Sequence, residues 1–201
     1  MDWGEPNQPE VIQVGRHSRL AYCFAFIAIE KLERRLTVEL ADGAEADISG
    51  FFLGRGSDSV QIEICTNHTG VGTRASVKIN GALTEEATAK FKGLIKIPVT
   101  GRGADAWLEE RVLLLSSRAQ TNSIPSLEIE ANDVKASHAL TTGQLDEEIL
   151  FYLMSRGLPR PAAARMLVEG WLMSPLAALN HQAKSEIIRR LNQNLNSLQL
   201  I

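Results

Sequence analysis

His138 is the residue best placed to bind a metal or a cofactor. It follows Val134 and Ala136 by four and two residues, so the three side chains share one face if the segment is a regular strand. A neutral imidazole can ligate iron, with a carboxylate as a second ligand. A histidine on an apolar face is also commonly a packed core residue. The residues alone leave both interpretations open.

The two cysteines offer little further metal chemistry. Cys65 and His68 form a C-x-x-H pair, but no second pair stands at zinc-finger spacing, so structural zinc is not expected. Cys23 lies in the apolar segment 22–26 and is predicted to pack in the core. Two widely separated cysteines also predict no disulfide framework.

Templates of common enzymes are absent from the sequence. Neither the G-x-S-x-G nucleophile elbow nor the G-x-x-x-x-G-K-[ST] phosphate loop occurs. Carboxylate pairs such as Glu128 and Glu130 could serve a β-helix enzyme acting on carbohydrates. Sugar clefts normally also offer aromatic platforms, and aromatic residues make up only 5% of this chain. We therefore expect no enzyme, and the carbohydrate-active β-helix remains the enzymatic alternative.

Short alternating segments must position these residues. From Leu36 to His138, apolar and polar residues alternate in runs such as 36–40, 60–64 and 75–79, which is typical of half-buried strands. Turn formers such as Asn80-Gly81 separate the runs, so the sequence predicts an all-β body. Small inward residues suit a stacked solenoid, but no strict repeat length is visible. Periodicity alone leaves a sandwich and a β-helix open.

The pattern becomes helical after Gly143. Asp146 can cap a first helix that ends at Gly157, and Pro161 opens a second. Ser174-Pro175 is predicted to start a third, whose apolar stripe runs from Leu176 to Leu198. We therefore divide the chain into a β-helix or sandwich core, residues 1–143, and a C-terminal helical region, residues 144–201.

Composition limits the class of protein. The 201 residues are 44% hydrophobic and 22% charged, as expected for one soluble domain with a buried core. The net charge of −3 disfavours a nucleic-acid binder. The longest apolar run, 20–29, is too short to cross a bilayer. We expect a cytoplasmic protein that binds neither nucleic acid nor a membrane.

Residues 125–158 carry a family resemblance. They read PSLEIEANDVKASHALTTGQLDEEILFYLMSRGL, which resembles the C-terminal signature of the SufB/SufD family of iron–sulfur cluster assembly proteins, nearer to its SufD side. Weaker collinear matches precede it at 33–40, 43–46, 91–95 and 113–116. The match runs from about residue 30 to residue 170, most of the chain.

The resemblance implies a fold, a role and partners. The implied fold is a right-handed parallel β-helix followed by a C-terminal α-helical region. The implied role is that of a non-catalytic scaffold-type subunit that docks a SufC-like ATPase and pairs with itself or with a SufB-like subunit. Apo iron–sulfur proteins would receive the clusters. The alternative is a structural or regulatory homodimer that has lost cluster-building chemistry.

Two cysteine positions of the family hold alanine here. Ala136 stands at the SufD-type position, and Ala119 lies near the SufB-type position. Thiolates hold iron–sulfur clusters best. We therefore expect no cluster bound stably by the isolated chain, and at most a transient cluster in the complex. His138 remains the candidate for cofactor or metal binding, since the matching histidine belongs to the family's subunit interface.

Two sets of residues are predicted to contact other proteins. The dimer interface is expected at Leu127, Ile129, Val134, Ala136 and His138. The ATPase is expected to contact Arg160, Arg165, Met166, Leu167, Trp171 and Leu172, because Met, aromatic and Arg side chains are common in interface hot spots. In a competing interpretation, the third helix folds back and buries this second surface.

Overall fold

The computed structural model describes residues 9–195, as two parallel β-sheets with a layer of helices against one of them. The strands are β1 (Pro9–Val14), β2 (Arg19–Ile27), β3 (Lys31–Leu40), β4 (Glu45–Gly54), β5 (Ser59–Asn67), β6 (Arg74–Leu83), β7 (Thr88–Ile97), β8 (Asp105–Leu114), β9 (Gln120–Ile129) and β10 (Lys135–Gly143).

Successive strands alternate between the two sheets. The odd sheet has the order β1-β3-β5-β7-β9, the even sheet has the order β2-β4-β6-β8-β10, and all neighbours are parallel. Parallel pairing needs a crossover between neighbours, and here each crossover passes through the opposite sheet. The chain therefore coils as a parallel β-solenoid of five turns. This confirms the predicted β-helix and excludes the sandwich.

The core lies between the two sheets. Alternate side chains of the inner strands are buried there, as in Val60, Ile62 and Ile64 of β5. Equivalent residues stack from coil to coil, so that Ala46, Ala75 and Ala106 form a row of small side chains in the even sheet. Such rows keep the two sheets close, and the alternation that predicted the strands is explained by this packing.

Glycines let the coils turn at one corner. Gly43, Gly72 and Gly103 have φ of 62°, 65° and 72°, a left-handed conformation that costs glycine little. Each donates its N–H to a carbonyl of the next coil, at 2.7–2.8 Å. The hydrogen-bond ladder of the solenoid therefore continues through the corner, and the coils stay in register there.

The C-terminal region contains helices α1 (Glu147–Ser155), α2 (Arg160–Met173) and α3 (His181–Leu195), with a short 3₁₀ turn at Ser174–Leu176. The predicted cap of α1 is confirmed, because Asp146 Oδ1 accepts the N–H groups of Glu148 and Ile149 at 2.8 and 3.1 Å. The predicted start of the third helix at Ser174-Pro175 is wrong. That dipeptide forms the 3₁₀ turn, and α3 begins after Asn180, whose Oδ1 accepts the Ala183 N–H at 2.9 Å.

The described part of helix α3 ends at Leu195. Leu198, the last residue of the predicted stripe, lies outside the described residues. Within residues 9–195, no helix combines the length and the apolar character needed to cross a membrane.

Three part-buried hydrogen bonds attach the helices to the even sheet. Asn80 of β6 donates through Nδ2 to the Trp171 carbonyl at 2.7 Å and to Ser174 Oγ at 3.0 Å. The Trp171 indole donates to the Gly81 carbonyl at 3.3 Å. A second apolar cluster fills the space between this sheet and the helices, with Phe51, Leu172 and Leu191 among its members. The helical layer is therefore part of the folded unit.

Candidate functional site

The last coil of the solenoid is open on one side. Strands β9 and β10 stand at the ends of their sheets, and each pairs with only one neighbour among the described strands. The register assigns their inward residues, which we call the open end: Thr121, Ser123, Pro125, Leu127, Ile129, Ala136, His138 and Leu140.

The open end exposes apolar side chains that lower coils would bury. Leu127 and Ile129 are 39% and 40% exposed, whereas Ile95 and Ile97, their partners in register on β7, are buried. Unpaired backbone groups of the two edge strands surround this apolar surface. An uncovered edge of this kind readily pairs with another chain.

The five residues predicted for the dimer interface come together at this end of the solenoid. Val134 and Ala136 are half-buried against the core, while Leu127, Ile129 and His138 are exposed. The placement is compatible with the predicted interface, and the pairing itself stays a prediction.

His138 is an exposed residue of the open end, in register with Leu108 of β8. The packed-core interpretation therefore does not hold for this side chain in the described chain. Among residues 9–195, no three His, Cys, Asp or Glu side chains cluster closely enough to hold a metal ion. Any metal or cluster bound through His138 would need ligands from outside these residues.

His68 is the packed core histidine of the chain. It is completely buried at the corner after β5, and its Nδ1 lies 2.8 Å from Thr73 Oγ1. Burial lowers the pKa of His68 to about 4, because the charged imidazolium loses its hydration. Its C-x-x-H partner Cys65 is half-buried, and burial raises the pKa of that thiol. His68 is therefore neutral at ordinary pH.

Glu110 is a buried acid directly below the open end. It is 1% exposed and faces the core of β8, in register with Leu140 of β10. Burial raises the pKa of Glu110 to about 7, against the smaller opposing effect of a hydrogen bond from Ser123. Its Oε1 has no hydrogen-bond partner within the described part of the chain.

Sequence analysis missed Glu110 because the run Glu109-Glu110-Arg111 resembles a solvated surface. The available signal was the spacing, since Glu110 lies two residues from both Leu108 and Val112, which are buried, and residues two apart in a strand share a face. An acid on the apolar face of a strand is unusual enough to mark a position for inspection.

The two family cysteine positions contribute no thiolate. Ala119 is buried in the core cluster, and Ala136 is half-buried beside it. Cys23 lies on the other face of β2, near the helical layer, with its Sγ 3.4 Å from Ser49 Oγ. Cys23 therefore does not take the place of the alanines at the open end.

The six residues predicted to contact the ATPase do not form one exposed patch. Leu172 is completely buried, and Trp171 is half-buried with the Arg111 guanidinium 5.7 Å from its ring centre. Arg160 is held by two hydrogen bonds to Glu147, at 2.7 and 3.0 Å. Leu167 is partly buried in the helical cluster, which leaves Arg165 and Met166 as the exposed members.

Helix α1 exposes several apolar side chains. Leu150 is buried and Leu153 is half-buried, but four other side chains of this helix are exposed. They form, with Met166 of α2, a set that we call the α1 surface: Ile149 (46%), Phe151 (72%), Tyr152 (55%), Met154 (40%) and Met166 (52%). Exposed apolar side chains in this number make this part of the helical layer a candidate for protein contacts.

Stacked parallel coils, an uncovered last coil and an apolar helical surface define a β-solenoid with two exposed surfaces suited to protein contacts. The chain belongs to the SufBD core family: the family described as "SUF system FeS cluster assembly, SufBD core domain" matches residues 10–171. This confirms the resemblance seen in residues 125–158.

Relatives agree with the family assignment. The chain is 30% identical over 182 residues to the iron-sulfur cluster assembly protein SufD of Bacillus subtilis, covering 88% of this chain and 42% of the relative. It is 31% identical over 145 residues to a SufBD family protein of Mycobacterium tuberculosis, covering 68% and 36%. For SufD of Escherichia coli the identity is 32% over 114 residues, covering 56% and 27%. The chain thus spans less than half the length of these relatives.

Proposed function

We propose that this chain is a non-catalytic scaffold-type subunit of a SUF-like iron–sulfur cluster assembly complex in the cytoplasm. It pairs through the open end and docks a SufC-like ATPase through its helical layer. Family membership supports the role in assembly. The observation that carries the pairing is the open end itself, where two edge strands and exposed Leu127 and Ile129 have no cover within the described chain.

Pairing about a twofold axis suits this geometry. Each copy presents the same surface, so a second copy of the chain can cover both the unpaired strand edges and the apolar side chains at once. A SufB-like subunit with the same solenoid end would serve equally well. The expected partner at the open end is therefore another solenoid with an open end of the same kind.

Substitution at the open end tests the pairing. We expect Leu127→Lys to convert a dimer into a monomer, because the new charge would lie in the covered apolar surface. The matched control is Ile124→Lys on the same strand, since Ile124 is 43% exposed on the outward face. Sedimentation velocity of both variants and of the unchanged chain gives the masses. A monomer for the unchanged chain, or equal loss in both variants, would refute the pairing.

We propose that an iron–sulfur cluster is cargo of the assembled complex and not a resident group of this chain. Ala119 and Ala136 supply no thiolate, and the exposed His138 imidazole is the one candidate ligand from the predicted site. A single imidazole is too few ligands for a cluster, so further ligands would come from the pairing subunit or from the client.

The two alanines also favour the second candidate function. A homodimer that keeps the fold and the ATPase surface but has lost cluster-building chemistry would need no thiolate at these positions. The two candidates separate by the iron and sulfide content of the complex purified anaerobically with its partners. A scaffold retains both, and a structural or regulatory homodimer retains neither.

We place the ATPase contact on the α1 surface. Leu172 and Trp171 pack towards the even sheet, whereas Phe151 and Tyr152 are exposed and already ordered on a capped helix. Aromatic and methionine side chains with nearby arginines are common in binding hot spots. Arg156, 5.3 Å from the Tyr152 ring centre, and Arg165 supply that charge.

A double substitution tests this contact. We expect Phe151→Ala with Tyr152→Ala to abolish co-purification with a SufC-like ATPase and to change the free energy of unfolding by less than about 0.5 kcal/mol, as for exposed sites in general. Val99→Ala is the control, because Val99 is 67% exposed at a solenoid corner outside the α1 surface. Full retention of the ATPase by the double variant would place the contact elsewhere.

A further inference from the structure

We infer that Glu110 makes pairing through the open end depend on pH: its neutral acid permits the pairing, and its ionised carboxylate opposes it. The inference rests on the proposed pairing and adds a regulation to it. Glu110 is not itself an open-end residue, since it lies in β8, one strand below the edge strand β10.

The position of Glu110 carries the inference. Its carboxyl group is 1% exposed, and β10 is the last strand that separates it from the surface where a second copy would sit. Below it, in β6, the residue in register is the buried Ile79. Across the core, Ser123 of β9 is its hydrogen-bonding neighbour. The group therefore has apolar packing, one hydroxyl and the open end around it.

Covering the open end changes the cost of a charge at this place. In the single chain Glu110 is already buried, but water at the open end lies only one strand away, and Oε1 has no other partner within the described residues. A second copy removes that water, and a buried carboxylate without a counterion is strongly disfavoured. Pairing therefore raises the pKa of Glu110 further, and by linkage the pairing is tighter when Glu110 is protonated.

The other groups facing Glu110 do not produce the same dependence. The inward side chains of β6 and β7 at this level are apolar, as in Ile79 and Phe91, and the nearest polar side chain of β9 is the hydroxyl of Ser123. His138 of β10 is the titratable group among the inward residues of these described strands. Positive charge on His138 would repel its counterpart across the interface. The sign is opposite to that expected from Glu110.

The self-association of the full chain as a function of pH tests the inference. Sedimentation velocity over a dilution series at about pH 6, 7 and 8.5 gives the dissociation constant of the unchanged chain, Glu110→Gln and His138→Gln. We expect the constant of the unchanged chain to rise at least about tenfold from the lowest to the highest pH, as for a pKa shift of about half a unit or more in each copy. Glu110→Gln should pair tightly at every pH, and His138→Gln should keep the dependence.

The outcomes separate the two proposals. Pairing of the unchanged chain that is equally tight at every pH, or a dependence that persists in Glu110→Gln, overturns the role of Glu110 and leaves the pairing intact. Monomers at every pH, for both the unchanged chain and Glu110→Gln, overturn the pairing itself. Circular dichroism at each pH checks that the compared species are folded.

Discussion

Replacing Trp171 by alanine is expected to lower the free energy of unfolding by about 3 kcal/mol, the lower end for large aromatic side chains removed from cores. The indole is half-buried between α2 and β6, donates to the Gly81 carbonyl at 3.3 Å and lies 5.7 Å from the Arg111 guanidinium. Its loss leaves a cavity in the second cluster and an unpaired carbonyl beneath the helix. The residue predicted to contact the ATPase thus holds the helical layer on the solenoid.

Urea unfolding followed by circular dichroism measures this effect. Met166→Ala is the matched control, because Met166 lies on the same helix and is 52% exposed. We expect the control to change the free energy of unfolding by less than about 0.5 kcal/mol. A Trp171→Ala protein of unchanged stability that no longer binds the ATPase would reverse the assignment and return the contact to Trp171.

The strands were predictable because one property decides them. Alternation of apolar and polar residues is required of any strand with one buried face, and it is visible in 60–64 and 75–79. The choice between sandwich and solenoid was not available from alternation, since both bury one face. The family signature at 125–158 carried that choice. In the structure, the solenoid is defined by the strand order, since each strand pairs with the strand two positions further along the chain.

Helix ends were predictable where a side chain makes the cap. Asp146 and Gly157 were assigned correctly, and Gly157 has φ of 94°. The start of α3 was missed because Pro175 suits a first helical turn, yet it stands in a 3₁₀ turn here. Asn180, a preferred cap residue, was the signal for the true start.

The candidate site was predictable only in part. His138 and the apolar residues of the open end share a face by simple parity, so the sequence brings them together. Whether another coil covers the open end depends on the number of coils, which the alternation of apolar and polar residues does not determine. Glu110 was missed for a related reason: its burial comes from neighbours 31 residues earlier and 30 residues later in the chain, Ile79 and Leu140, through the register of three strands.

Two buried groups give the folding stability opposite dependences on pH. The pKa of Glu110 is raised from 4.5 to about 7 by burial, so the folded chain holds a proton that the unfolded chain has lost above pH 4.5. The contribution of Glu110 is therefore complete below pH 4.5 and is lost as the pH rises through about 7. A shift of this size corresponds to about 3 kcal/mol.

The histidine acts in the other direction. The pKa of His68 is lowered from 6.5 to about 4 by burial, so the folded chain resists a proton that the unfolded chain accepts. Its contribution is complete above pH 6.5 and is lost as the pH falls through about 4, again by about 3 kcal/mol. Between about pH 4.5 and 6.5 the two slopes oppose each other, and the unchanged chain should show a nearly flat dependence from these two groups.

Single variants should separate the two slopes. In Glu110→Gln, only the histidine remains, so the free energy of unfolding is expected to fall as the pH is lowered from about 6.5 to 4.5. In His68→Asn, only the acid remains, so it is expected to fall as the pH is raised from about 4.5 to 7. Urea midpoints at four values of pH give the slopes, which do not depend on the packing that either substitution costs. Slopes of the same sign in the two variants would contradict the assignment, because protons would then be exchanged at other groups.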